Sequence, residues 1–170
     1  MQKILVSACL LGEKVRYDGA DCAQQGLLQK WQREGRVVPY CPEVSGGLEV
    51  PRPPAEIEGG DAEGVLRGER RVLRHDGKDV THAFIAGAER ALADCWRHQI
   101  KIAILKEGSP SCGVCEVRDG SFSGRRVNGQ GVTARLLARH GISVFHEGQI
   151  EQAAKRLAEL DASMEDTPSP

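Results

Sequence analysis

Short apolar runs and longer amphipathic stretches take turns along this chain. Lys3 to Ala8 is a continuous apolar run with β-branched members, stopped near Leu11-Gly12, and reads as a buried strand. Leu27, Leu28 and Trp31 recur at helical spacing and end at Gly35. Arg36-Val37-Val38-Pro39-Tyr40 reads as a second strand, with Pro39 near its end or at an edge because proline donates no ladder hydrogen bond. Residues 42–64 are rich in Pro, Gly and Glu and read as one long irregular excursion, with a small hairpin expected over Val65 to Leu73 and a turn at Asp76-Gly77.

The clearest helix follows, capped by Asp79 or Thr81, with Val80, Phe84, Ile85, Ala88, Leu92, Cys95 and Trp96 on one face. Ile100 to Leu105 is the third strand, followed by the loop Lys106 to Gly113. Val132, Leu136 and Leu137 mark a helix that Gly141 ends, Ile142 to Phe145 is a fourth strand, and Ile150, Ala153, Ala154, Leu157 and Leu160 form a last amphipathic helix. Strands alternating with helices predict an α/β fold, a single domain over residues 1–160 with a mainly parallel, Rossmann-like sheet flanked by helices. Residues 161–170 read as a frayed polar tail.

Composition narrows the function. The chain has 170 residues and a formal net charge of −1, so it does not grip polyanions by bulk charge, and bulk nucleic acid is not the expected partner. Aromatics make up only 4%, too few for a stacking platform for single strands. No apolar run approaches the ~20 residues of a membrane span. The first residues carry no long apolar leader, so a cytoplasmic location is expected.

The six cysteines change the picture most. In a reducing compartment that number points to metal or catalysis rather than disulfides. Cys9, Cys41 and Cys112 each follow the C-terminal end of a predicted strand, and a parallel sheet gathers those ends along the edge where ligands bind. Three thiolates are soft ligands for zinc, copper(I) or an iron–sulfur cluster. The competing reading is that cysteines are often buried as small hydrophobes; it fits Cys95, on the apolar face of the clearest helix, and Cys22 is a loop residue. Cys112-Gly113-Val114-Cys115 has the spacing of a redox pair or half a zinc site, but no second C-x-x-C or histidine pair completes the latter. The five histidines show no metal-ligand spacing.

Glu43 stands two residues after Cys41, placed to act as a general base, and Ser109 and Ser111 precede Cys112, with Ser109 a donor to a substrate oxygen or sulfur. Arg16, Arg52, Lys106, Arg125 and Arg126 are loop cations suited to a phosphate or a polar ring, and Ser45-Gly46-Gly47 can offer backbone N–H groups to an anion. Arg16, Ser45, Arg52 and Lys106 are the candidate substrate-binding residues.

Taken together, Ser7-Ala8-Cys9-Leu10-Leu11-Gly12 with Val15-Arg16-Tyr17-Asp18-Gly19, Cys41-Pro42-Glu43-Val44 with Gly46-Gly47 and Pro51-Arg52-Pro53-Pro54-Ala55-Glu56, Asp79-Val80-Thr81, and Ser109-Pro110-Ser111-Cys112-Gly113 resemble the thiouracil desulfidase family over residues 1–147. The resemblance implies a [4Fe–4S] cluster held by Cys9, Cys41 and Cys112, with one open iron for a thiocarbonyl sulfur. It implies Glu43 as the acid/base carboxylate and Ser109 as its helper. The implied reaction is non-redox, hydrolytic removal of sulfur from thiolated uracil as free base, nucleoside or mononucleotide. The expected partner is therefore a small thiolated pyrimidine. The alternative from another class is a non-catalytic zinc or iron–sulfur regulatory protein, which a fourth ligand such as Cys115 would favour, since structural sites are coordinatively complete.

Overall fold

A computed structural model describes residues 1–12 and 26–165. Its centre is a four-stranded, all-parallel sheet of β1 (Ile4–Ser7), β2 (Val37–Tyr40), β5 (Ile102–Leu105) and β8 (Ser143–His146), ordered β2-β1-β5-β8. Parallel strands covered on both faces need apolar residues at successive positions, and β1 and β5 are buried throughout. Alternation then divides them. Leu5, Ala103 and Leu105 face α4 (Thr81–Arg97) and α5 (Val132–Arg139), while Ile4, Val6, Ile102 and Ile104 face α1 (Leu27–Arg33) and α6 (Ile150–Glu165). Among the described residues no helix is long and apolar enough to cross a membrane.

The chain leaves β1 for β2 on one side and returns to β5 on the other, so the strand order reverses between β1 and β5. A reversal of this kind opens a crevice at the carboxyl ends of the strands. Ser7, Cys41 and the loop after Leu105 all lie at that end.

The excursion over 42–64 is more ordered than expected. It contains α2 (Pro42–Ser45), β3 (Ala55–Ile57), a 3-10 turn and α3 (Ala62–Leu66), each too short to show a period. The hairpin expected over Val65 to Leu73 does not form. Asp61 caps α3 by accepting from Gly64 N at 2.9 Å, and β4 (Val72–Arg74) instead pairs antiparallel with β3. A second hairpin, β6 (Glu116–Arg118) with β7 (Arg126–Asn128), carries too little apolar pattern to be visible in sequence. The last helix runs past Leu160 to Glu165. Asp161, expected in the tail, accepts hydrogen bonds from Gln2 N and Arg36 and ties this helix to the start of the sheet. Arg16 and Cys22 lie outside the described residues.

Candidate active site

Close backbone approaches place the site. α2 lies on α4 because Gly46 and Gly87 lack side chains: a Cβ at Gly46 would stand 2.0 Å from Ala83 O, and one at Gly87 would stand 2.0 Å from Pro42 O. That contact fixes Cys41 at the N-terminus of α2, and Glu43 in its first turn. The loop before Cys112 is held in a different way. The first turn of a helix has N–H groups without intrahelical partners. Here Val132 N donates to Pro110 O and Thr133 N to Ser111 O, both at 2.9 Å, while Gly131 N donates to Gly113 O at 2.8 Å. The loop thus serves as the cap of α5.

These supports bring Cys9, Cys41 and Cys112 to the wall of one cavity of about 340 Å³, together with Ser7, Glu43, Arg52, Lys106, Ser109 and Ser111. Cys9 and Cys112 are buried and Cys41 is half-buried. Burial raises the Cys41 thiol, and pushes the Cys112 thiol up to about 12. At Cys112, the hydrogen bond from Ser7 pulls downward, while negative charge on nearby Cys41 and Glu43 adds to the rise. The Ser7 hydroxyl accepts from Lys106 N at 3.1 Å, and donates its proton to Cys112 Sγ at 3.3 Å. Ser7 is a site residue that sequence reasoning missed, because a serine at the end of an apolar strand carries no distinguishing signal.

Glu43 is the hub of the polar half. Its Oε1 accepts from Arg52 Nε at 3.2 Å, and its Oε2 accepts from Ser111 Oγ at 2.8 Å and more weakly from Ser109 Oγ at 3.4 Å. A serine hydroxyl has one proton and two lone pairs. Ser111 N and Cys112 N, each 3.2 Å away, fill the acceptor capacity of Ser109 Oγ. Its proton therefore points outward, to Ser111 Oγ at 3.0 Å or to Glu43. Ser111, which finds no free lone pair on Ser109, turns its own proton to Glu43, and this makes Ser111 the closer partner of the carboxylate.

Other expected site residues are placed differently. Arg52 lines the cavity, but its guanidinium is engaged by Glu43 and by Glu49 O at 2.9 Å. Lys106 lines the cavity while Nζ donates to Glu147 Oε1 at 2.8 Å. Ser45 is not among the lining residues; its hydroxyl is hydrogen-bonded to Tyr40 at 2.8 Å, so its placement does not support the expected substrate contact. The N–H groups of Ser45, Gly46 and Gly47 do not form an anion cradle either, since they close the α2 turn on Cys41 O, Pro42 O and Val44 O.

Cys115 is exposed and does not line the cavity. Its ligand atom clusters with those of Glu107 and His146 within 4.8 Å, a grouping that the histidine spacing did not suggest. Burial raises the Glu107 carboxyl, but N–H donors from Cys115, Val114, Glu116 and Gly108 outweigh it and hold the group below its ordinary range. His146 Nδ1 accepts from Gly148 N at 3.0 Å. Its other ring nitrogen, Nε2, faces Glu107 at 3.7 Å.

A parallel sheet with a strand-end cavity lined by three cysteines and a hydrogen-bonded carboxylate defines a class. Residues 4–149 match the 2-thiouracil desulfurase family, and the chain belongs to that family. Among solved structures it resembles a [4Fe-4S]-dependent thiouracil desulfidase, TudS, with a TM-score of 0.85 and 46% identity, covering 93% of this chain and 99% of that one. It is also 42% identical over 147 residues to the uncharacterized protein YbbK of Bacillus subtilis, spanning 86% of this chain and 97% of that protein.

Proposed function

We propose that this protein is an enzyme that removes sulfur from thiolated uracil by non-redox hydrolysis, releasing sulfide and leaving a carbonyl oxygen in its place. The observation that carries this reading is the meeting of Cys9, Cys41 and Cys112 with Glu43 in one cavity.

The donor set fits a [4Fe–4S] cluster. All three ligands are soft thiols, they share a wall, and an O–H donor from Ser7 is aimed at one sulfur. Cys115, away from that wall, supports a three-cysteine site over a four-cysteine one. When bound, such a cluster supplies a Lewis-acidic iron that no protein thiolate fills, suited to a soft thiocarbonyl sulfur.

The remaining work falls to side chains. Glu43 Oε2 takes a proton from the attacking water, and Arg52 on Oε1 keeps the carboxylate oriented. Ser111 holds the same oxygen that takes the proton, and Ser109 fixes the direction in which Ser111 donates. A positioned general acid/base contributes typically 10²–10⁴-fold. The mass balance is simple: water supplies the oxygen of the new carbonyl, and its two protons leave with sulfide.

The test is an anaerobic assay of sulfide release by cluster-loaded protein against thiouracils, thiouridines and their monophosphates, with uracil-type products quantified in parallel. Equal amounts of sulfide and desulfurated pyrimidine support the reading. Cluster-loaded protein that binds these compounds without turnover favours the regulatory alternative.

A further inference from the structure

The turn between β6 and β7 carries a feature that the desulfuration chemistry does not use. Among the described residues, two non-glycine positions adopt positive φ: Gln99, just beyond the end of α4, and Phe122, in this turn, at φ 58°. A bulky aromatic residue rarely adopts that conformation, and such outliers concentrate where the surroundings impose them for a purpose.

Here the surroundings are specific. Glu56 on β3 is a buried carboxylate, and its Oε1 accepts from Gly120 N at 3.0 Å and from Phe122 N at 3.2 Å. Gly120 also sits at positive φ and is pressed against the end of β3, where a Cβ would stand 2.7 Å from Ile57 O. Asp119 closes the turn by accepting from Ser121 N at 2.9 Å and Ser121 Oγ at 2.6 Å. The outcome is that the Phe122 ring lines the same cavity as the three cysteines and Glu43, edge-on to His75 with centroids 5.2 Å apart. Tyr40 also lines the cavity, with its hydroxyl tied to Gly87 O at 2.9 Å.

We propose that Phe122 is a specificity-determining residue that packs against the flat pyrimidine ring, and that Glu56 is the positioning residue that holds the turn in place. The proposal rests on the thiolated-uracil reading above. A planar ring gains from an aromatic wall what thiols, carboxylates and guanidinium groups do not give it. The side chain is held in an unfavourable backbone conformation because that conformation aims it into the cavity.

The experiment measures uracil binding to anaerobically reconstituted protein by calorimetry, with iron content, melting temperature and sulfide release followed alongside. Phe122→Gly should weaken uracil about tenfold while iron content stays at the wild-type level and the melting temperature holds or rises, because glycine adopts positive φ freely. Glu56→Ala should weaken uracil similarly, and the double variant should add little. Phe122→Leu should recover only part of the loss. Wild-type affinity in Phe122→Gly overturns the proposal, as does a lowered melting temperature with unchanged affinity, which marks a packing residue. If uracil binding depends on Phe122 but wild-type protein releases no sulfide from any thiopyrimidine, the pyrimidine site stands and the desulfidase reading fails.

Discussion

Ser111 Oγ donates to Glu43 Oε2 across 2.8 Å, although 68 residues separate the two in the chain. The shorter contact belongs to Ser111 rather than to Ser109, which reaches the same oxygen at 3.4 Å. Ser111→Ala should lower turnover by about tenfold and, because it removes a buried hydrogen bond to a carboxylate, cost about 1.5–3 kcal/mol of stability. Ser109→Ala removes the acceptor of two backbone N–H groups, so it should lower stability by about 1–3 kcal/mol as well as activity. Turnover and melting curves of the two variants check both outcomes.

Gly87 lies outside the cavity yet governs it. Gly87→Ala drives a Cβ into Pro42 O, so α2 must move off α4 and carry Glu43 with it. A stability loss of about 1–3 kcal/mol is expected from such overpacking, together with reduced kcat/KM. Denaturation and sulfide-release assays on the same preparation measure both.

Iron content sorts the cysteines. Cys9→Ala, Cys41→Ala and Cys112→Ala should each fail to retain a stable cluster. Cys115→Ala should retain it, because that side chain stands with Glu107 and His146 instead of lining the cavity. Cys95→Ala should also retain it and cost only packing, since Cys95 belongs to the core between the sheet and α4. Loss of iron in Cys115→Ala would indicate a four-thiolate site.

Thiol titration gives a pH dependence. Burial pushes both Cys95 and Cys112 up to about 12 in the metal-free chain, above the ~8.5 of an exposed thiol. A raised folded value stabilises the fold while the group stays protonated. That stabilisation is intact below about pH 8.5 and is lost progressively as the pH rises toward the folded values. Metal-free protein should therefore lose stability from about pH 8.5 upward, and Cys95→Ala should flatten the fall. Denaturant midpoints from pH 7 to 10 are the measurement.

The frame of the fold was readable because β1 and β5 are continuous apolar runs and α4 shows an unbroken helical face. The three ligand candidates were readable for the same reason: strand ends in a parallel sheet converge. What escaped depends on contacts between distant segments. The β3–β4 pairing joins strands of three residues each, too short to show alternation. The roles of Ser7 and Glu56 come from pairs of hydrogen bonds to remote partners, and the Ser45 hydroxyl meets Tyr40 instead of lining the cavity. Ser111 was visible as a hydroxyl beside Cys112, but only geometry shows that it, more closely than Ser109, meets Glu43.

The central claim joins a three-cysteine cluster to acid/base work by Glu43, and one variant separates the two. Glu43→Gln keeps the shape of the side chain and removes its ability to hold the proton. Reconstituted without oxygen, it should carry about four irons and four labile sulfides per chain, as one [4Fe–4S] cluster requires. Its sulfide release from thiolated uracil should fall by about 10²–10⁴-fold. Sulfide release at the wild-type rate with the cluster intact would contradict the account and place the base elsewhere.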